Sequence, residues 1–315
     1  MIKILFATDL HLRSIKPVSR LDFDFLDVQL KKLKFIAGLS KDADVTILGG
    51  DIFDRPDVPH YVLLRAIQAM RGFKAPPYTV IGNHEVFGYQ GKSVDSSVMG
   101  VFLEVGAVKK LDYLKIGCLH IYGVHAYDTL VTQVGKDEDE MAMIVAHKMI
   151  TDTALPNLEC IRVDLMAPVT NADIILSGDI HIPHEKVVDG KIFLNPGAMS
   201  RLSIADRDRM PGVYMITIAD NMKISYEFIG IPAKPNDEVF DLKAHEDKLE
   251  ATEHSKDFAK TYATAIISVK AEAHKIGESL QRFMKERKAP AKVQAVVTAY
   301  HTSAEANLLA NVKED

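Results

Sequence analysis

Four short polar clusters, each standing directly behind a run of apolar residues, constrain this chain more than any other feature. Asp9-Leu10-His11 follows Ile2–Thr8, and Gly49-Gly50-Asp51 follows Val45–Leu48 and continues to Asp54. Gly82-Asn83-His84-Glu85 follows Tyr78–Ile81, and Gly178-Asp179-Ile180-His181 follows Ile174–Ser177. A fifth apolar run, MAMIVAH, ends on His147. Short apolar runs of this kind read as buried strands, and the ends of such strands are where an α/β sheet exposes its ligand-binding groups.

Taken singly, each cluster has an ordinary explanation. Gly-Asp after a strand is commonly a turn, Asn-His in a loop can cap a helix, and His147 alone fits a hydrogen-bonded core histidine. Four in this order, each behind a strand, point instead to one assembled site. Their Asp, His and Asn side chains are the oxygen and imidazole donors that suit manganese, iron or zinc in open sites. Cysteine is absent from all of them, which argues against a closed structural zinc site. The glycines before Asp51, Asn83 and Asp179 are expected to turn the backbone sharply. The Asp-x-His spacing is expected to place both side chains on one face of extended chain. Asp51, central in order, is the natural bridging carboxylate of a two-ion site.

Around these clusters the pattern alternates. Leu21–Leu39 reads as a helix with its apolar face at Phe25, Leu26, Leu30, Leu33 and Ile36, and Tyr61–Arg71 as a second. Further strands are expected at Ile121–Val124, Ala142–Ala146 and Ile174–Leu176. Asp189-Gly190 and Asp220-Asn221 mark two hairpins, Glu185–Val188 with Lys191–Leu194 and Val213–Ile218 with Lys223–Ile229. The expected fold is α/β with mixed sheets. The proline-containing IPAKPND segment sets a boundary, giving a 1–232 domain and a small 233–315 domain. Within the latter, Tyr262–Val269, Glu272–Lys288 and Val293–Tyr300 read as a β-α-β unit, followed by a helical tail at Ala304–Val312.

Composition excludes rather than identifies. With 47% apolar and 26% charged residues, a core of ordinary size is expected over 315 residues. The two cysteines, Cys118 and Cys160, form no disulfide framework. The net charge of −5 provides no global basic field for nucleic acid, so any such surface is a local patch. No run reaches the ~20 apolar residues of a membrane span, and Asp9 interrupts MIKILFA too early for a signal peptide. A cytoplasmic location without membrane contact is therefore expected.

The motifs TDLHL, GGDIFD, GNHE, AH and GDIH, in this order, resemble those of the calcineurin-like metallophosphoesterases over about residues 1–230. The resemblance implies a β-sandwich flanked by helices, with a small C-terminal α+β cap domain. It implies two divalent ions, manganese first, with magnesium, iron or zinc as alternatives. Asp9, His11 and His181 would hold one ion and Asn83, His147 and Asp179 the other, with Asp51 bridging. His84 would stay unligated beside the scissile phosphate, as a proton donor to the leaving oxygen or a stabiliser of it. Asp54 would orient His84 or serve a turn. The family usually carries Gly-His-x-His where this chain has Gly-Asp179-Ile180-His181, which puts the sixth ligand, Asp179, in question.

Three features resemble the SbcD-type DNA-repair exonucleases. These are the Pro-containing loop after Asp51, His in GNHE, and the order of hairpin, NPGAMSR, hairpin and small domain. That branch implies a DNA substrate in repair, recombination or end processing, an SbcC-type ATPase partner and a homodimer. Arg282, Lys285, Arg287 and Lys288 would contact phosphates, or else form a solvated face whose cations suit a helix C-terminus. The rivals are an enzyme of the same chemistry on a small phosphoester, and a binding subunit with a weakened site.

Overall fold

The computed structural model describes residues 1–153, 159–243 and 276–300. Two six-stranded sheets dominate. The first runs β14-β13-β1-β2-β3-β4, with β1 Ile2–Ala7, β2 Val45–Leu48, β3 Tyr78–Thr79, β4 Lys109–Lys110, β13 Gly212–Ile218 and β14 Ile224–Gly230. The second runs β11-β12-β10-β7-β6-β5, with β5 Tyr113–Ile116, β6 Leu119–Val124, β7 Met141–His147, β10 Ile174–Gly178, β11 His184–Val188 and β12 Lys191–Asn195. A two-residue pair, β8 Ile150–Thr151 and β9 Ile161–Arg162, stands apart. In the first sheet β1 to β4 are parallel to one another and β13 runs antiparallel to β1 and β14, while in the second the central strands are parallel and both edges antiparallel. The parallel strands of each sheet therefore end at one edge, and that is where all the polar clusters lie.

Burial follows the two-residue period of a strand. Ile4 and Phe6 of β1 face Met143, Val145, Ile174 and Leu176 across the sandwich, while Leu5 and Ala7 face the helices. Those helices are α1 Phe25–Leu39, α2 His60–Met70 and α3 Val98–Glu104. The second sheet's outer face is covered by α4 Val163–Met166. Every residue of β7 is buried, as expected of a parallel strand covered on both faces.

The α1 helix starts at Phe25 rather than Leu21 because the Asp24 carboxylate accepts the Asp27 backbone N–H and caps it. Leu30 is only half-buried, and Gln29 and Lys32 occupy the buried face in its place. Both expected hairpins form, with Asp189 (φ +51°) and Gly190 (φ +76°) giving the left-handed pair of a tight turn.

The second unit begins after Leu242, ten residues beyond the expected boundary. The reason is packing: Ile231, Val239 and Phe240 are buried, the latter two with Ile204, and Phe240 bridges to Arg20. The short helix α5, Asn236–Val239, belongs to the same segment. In the second unit, α6 spans Ile276–Glu286 and residues 291–300 are also helical, not the expected strand. Val293 and Gln294 donate backbone N–H bonds to the Pro290 carbonyl, opening the helix. Val293 and Val297, one turn apart, pack with Leu280, Met284 and Ala289. The helical period in KVQAVVTAY thus overrides its β-branched content. Tyr262–Val269 and Ala304–Val312 lie outside the described residues, so the described part of this unit is helix–turn–helix rather than β-α-β. No described helix is long and apolar enough to cross a membrane.

Candidate metal centre

The loops after β1, β2, β3 and β10 and the end of β7 bring all seven expected ligands together. Asp9, His11, Asp51 and His147 are buried, with His181 and Asp179 at the opening. Asp51 Oδ2 lies 3.3 Å from His147 Nε2, 3.6 Å from His11 Nε2 and 4.0 Å from His84 Nε2. Asp9 Oδ1 lies 3.7 Å from His11 Nε2 and 3.8 Å from His181 Nε2. Donor atoms of Asp9, His11 and His181, and of Asp9, Asp51 and His147, fall within 4.8 Å of one another. Asp179 is further out, its Oδ1 3.9 Å from His147 Nε2, and its backbone N–H donates to the Asp9 carboxylate at 3.2 Å.

Convergence arises differently from the expected strand alternation. Asp9 (φ +51°), His11 (φ +45°), Asp51 (φ +51°) and Asp179 (φ +77°) all hold the left-handed conformation, which costs a non-glycine residue about 1–3 kcal/mol. Neighbouring loops hold them there: Asp9 N–H donates to the Gly50 carbonyl (3.1 Å) and His11 N–H to the Asp51 carbonyl (2.9 Å). Among the glycines, only Gly50 (φ +94°) supplies the expected turn. Gly82 is needed for space, since a Cβ there would stand 2.0 Å from Asp51 Oδ1 and 2.5 Å from its backbone nitrogen.

The donor set fits cations. His147 Nδ1 donates to the Gly49 carbonyl (2.7 Å), so its Nε2 carries a lone pair when neutral, yet that atom sits 2.9 Å from Asn83 Oδ1, another acceptor. His11 Nε2 and His181 Nε2 face each other at 2.9 Å. At His147 acceptor meets acceptor, which is unfavourable unless a proton or a metal ion is shared, and the His11–His181 contact likewise needs a single proton or an ion between its two nitrogens. Without metal, protons do this work. Burial opposes charge on His11, but the Asp54 and Asp9 carboxylates outweigh it and lift its pKa to about 9. His147 is likewise raised well above its ordinary value, Asp51 overcoming the burial.

His84 is placed apart from this set, with 43% of its side chain exposed. Its Nδ1 donates to the Asp54 backbone carbonyl (2.8 Å), leaving Nε2 directed at the site, and its backbone N–H donates to Asp51 Oδ1 (3.0 Å). Asp54 thus reaches His84 through its carbonyl, not its carboxylate. The carboxylate lies 3.4 Å from His11 Nδ1 and pairs with Arg13.

Several supports escaped sequence reading. Gln29 donates to the Leu10 and His11 carbonyls (3.1 and 2.7 Å), fixing the first loop. Glu85 accepts backbone N–H bonds from Ile52 (2.7 Å) and Gly82 (2.8 Å), and burial, then the Asp51 charge, push its carboxyl up to about 7. Glu85 was legible as part of GNHE, whereas Gln29 and Arg13 carried no signal. Asn195 and Met199 of NPGAMSR brace the opposite side, by Asn195 Nδ2 to the Ile180 carbonyl (2.8 Å) and Met199 N–H to the Asp9 carbonyl (3.1 Å). His125 accepts the Ile81 N–H (2.9 Å) and is structural. His184 is part of β11, its buried Nε2 without a hydrogen-bond partner among the described residues. Arg282, Lys285, Arg287 and Lys288 are exposed on the second unit, Arg282 beside Glu286 and Arg287 over the Phe283 ring.

A sheet sandwich with clustered carboxylates and imidazoles at the strand ends defines a metal-dependent phosphoesterase. The calcineurin-like phosphoesterase family profile matches residues 2–183, a span holding every candidate ligand, and the chain belongs to that family. Over 195 residues it is 26% identical to the DNA double-strand break repair protein Mre11 of Haloferax volcanii. That alignment covers 59% of this chain and 42% of the relative, so the chain spans less than half of that protein's length. Among solved structures the chain is similar to a putative 5′-nucleotidase from Staphylococcus aureus (12% identity, TM-score 0.44, 79% of this chain and 58% of that one). Another is an archaeal phosphodiesterase (13% identity, TM-score 0.37, 72% and 100%).

Proposed function

We propose that this chain is a two-metal phosphodiesterase acting on DNA, of the SbcD type, in repair, recombination or end processing. The observation that carries the chemistry is Asp51 Oδ2 within 4.0 Å of three imidazole nitrogens, those of His11, His84 and His147. Asp9, His11 and His181 would hold one ion, Asn83, His147 and Asp179 the other, and Asp51 both, with manganese the expected metal. Bound there, two cations lower the pKa of water and neutralise charge on phosphorus. His84 would donate a proton to the leaving oxygen from Nε2 as the imidazolium, its Nδ1–H staying on the Asp54 carbonyl and the ring left neutral after transfer. Asp54 and Arg13 fix His11, and the buried loops exclude bulk water from Asp9 and Asp51.

DNA as substrate is supported by the likeness to Mre11. An SbcC-type ATPase partner, a homodimer, a cytoplasmic location and a capping role for residues 243–315 belong to the same reading, with Arg282, Lys285, Arg287 and Lys288 meeting phosphates. The net charge of −5 favours the small-phosphoester rival. Manganese-dependent release of label from end-labelled duplex DNA, exceeding turnover of cyclic nucleotides and nitrophenyl phosphodiesters, is expected. Turnover confined to the small esters would overturn the DNA assignment while leaving the phosphoesterase intact.

Cations and protons compete for the same atoms. A His held above its unfolded pKa stabilises the fold fully below about pH 6.5, and this is lost as pH rises through the folded value of about 9. Through His11 alone the chelated protein should therefore lose on the order of 3 kcal/mol between pH 6.5 and 9, read as the difference in Tm between the chain and a His11→Gln variant. The variant is needed because Lys32, brought down to about 7 by burial, gains stability above about pH 7 and opposes the loss. A divalent cation, replacing the protons, should abolish the decline. A His11→Gln variant whose chelated Tm follows the same pH course as the unaltered chain contradicts the electrostatics described.

A further inference from the structure

A cleft of about 290 Å³ lies between α1 and the segment 231–239, in the first unit and lined by none of the candidate metal ligands. Five cationic side chains, those of Arg20, Lys31, Lys32, Arg201 and Lys234, line it against one carboxylate, Asp22. Asp22 is engaged by Arg20 Nε at 2.6 Å. Lys31 and Lys234 stand at the rim, 75% and 67% exposed, beside Asp27 and Glu238.

Lys32 and Arg201 are different, being only 7% and 6% exposed. Lys32 Nζ donates to the Met199 carbonyl (3.0 Å) and the Ser200 hydroxyl (3.3 Å). Arg201 donates to the carbonyls of Arg207 and Lys234 and to Asn236 Oδ1, and its Nε has no hydrogen-bond partner. Among the described residues neither has a carboxylate in ion-pair contact. Burial, then the charges of Arg20, Arg201 and Arg209, bring the Lys32 pKa down to about 7. Two buried cations side by side, satisfied only by neutral acceptors, are unfavourable unless a stronger anion completes them. The remaining walls, Val28, Phe35, Ile231 and Pro232, are apolar, so the cleft is charged on one side and greasy on the other. Its volume is near the lower end for small-molecule sites.

We propose that this cleft binds a small phosphomonoester, its dianionic phosphate on Lys32 with Lys31 and Lys234 and its apolar or aromatic body against Phe35, Ile231 and Pro232. A phosphate carries the charge and acceptor count that several converging cations demand. The claim is independent of the metal centre, because none of the lining residues is a candidate metal ligand.

The test is calorimetric titration of the full chain in EDTA with deoxyadenosine monophosphate, inorganic phosphate and deoxyadenosine. The monophosphate is expected to bind most tightly, and Lys32→Met to weaken it about tenfold or more, the value of a charged hydrogen bond. Lys32→Met relieves a buried charge but leaves the Met199 carbonyl and the Ser200 hydroxyl without their donor, so a folded protein with a somewhat lowered Tm is expected. The rim variant Lys31→Glu/Lys234→Glu, which touches only exposed positions, should weaken binding similarly and serves if Lys32→Met does not fold. No heat with millimolar monophosphate, or affinity unchanged in the variants, overturns the proposal. Inorganic phosphate binding as tightly as the monophosphate overturns the role given to the apolar wall.

Discussion

His84→Ser is expected to lower phosphodiester turnover by about 10²–10⁴-fold, the usual contribution of a positioned acid, while leaving cation binding unchanged. His84 is poised for this role by its Nδ1 contact with the Asp54 carbonyl, which directs Nε2 into the opening. Its tie to the metal cluster runs through the backbone, by N–H to Asp51 Oδ1, and survives the substitution. Steady-state turnover and calorimetric manganese binding on the same preparation separate the two effects. A variant that keeps activity removes His84 from the reaction, and one that loses both activity and metal makes it a ligand.

The second large effect is expected at Asp51. Asp51→Asn keeps the shape but removes the charge that His11 and His147 share, and burial at 1% exposure leaves no water to replace it. Both ions should weaken by more than about 100-fold, beyond the 10–100-fold typical of outer partners. Asp179→Ala should act on one ion only, because the Asp179 carboxylate is 27% exposed and stands beside His147, while its backbone N–H bond to Asp9 survives the substitution. Equilibrium dialysis counts the ions directly. Two ions retained in Asp179→Ala would strike Asp179 from the ligand set, and two retained in Asp51→Asn would deny the bridge.

Much of this centre was legible because its residues lie at the ends of short apolar strands, where sheet geometry dictates placement. The means of convergence was not legible. Asp9, His11 and Asp179 turn inward through left-handed backbone that no alternation rule anticipates, and only contacts between distant loops, such as Asp9 to Gly50, hold them there. Gln29 and Lys32 look like breaks in an amphipathic helix, and their reason appears only when the loops they hold are in place. The short strands β4, β8 and β9 carry two residues each, too few for periodicity to register. In residues 291–300 the β-branched valines suggested a strand, yet their four-residue spacing and the preceding Pro290 made a helix.

Anomalous diffraction from crystals soaked in manganese addresses the metal centre itself. Two peaks are expected about 3.5–4 Å apart, on either side of the Asp51 carboxylate, one nearest Asp9, His11 and His181 and the other nearest Asn83 and His147. A single peak, or none within reach of Asp51, would contradict the two-ion phosphoesterase described for this chain.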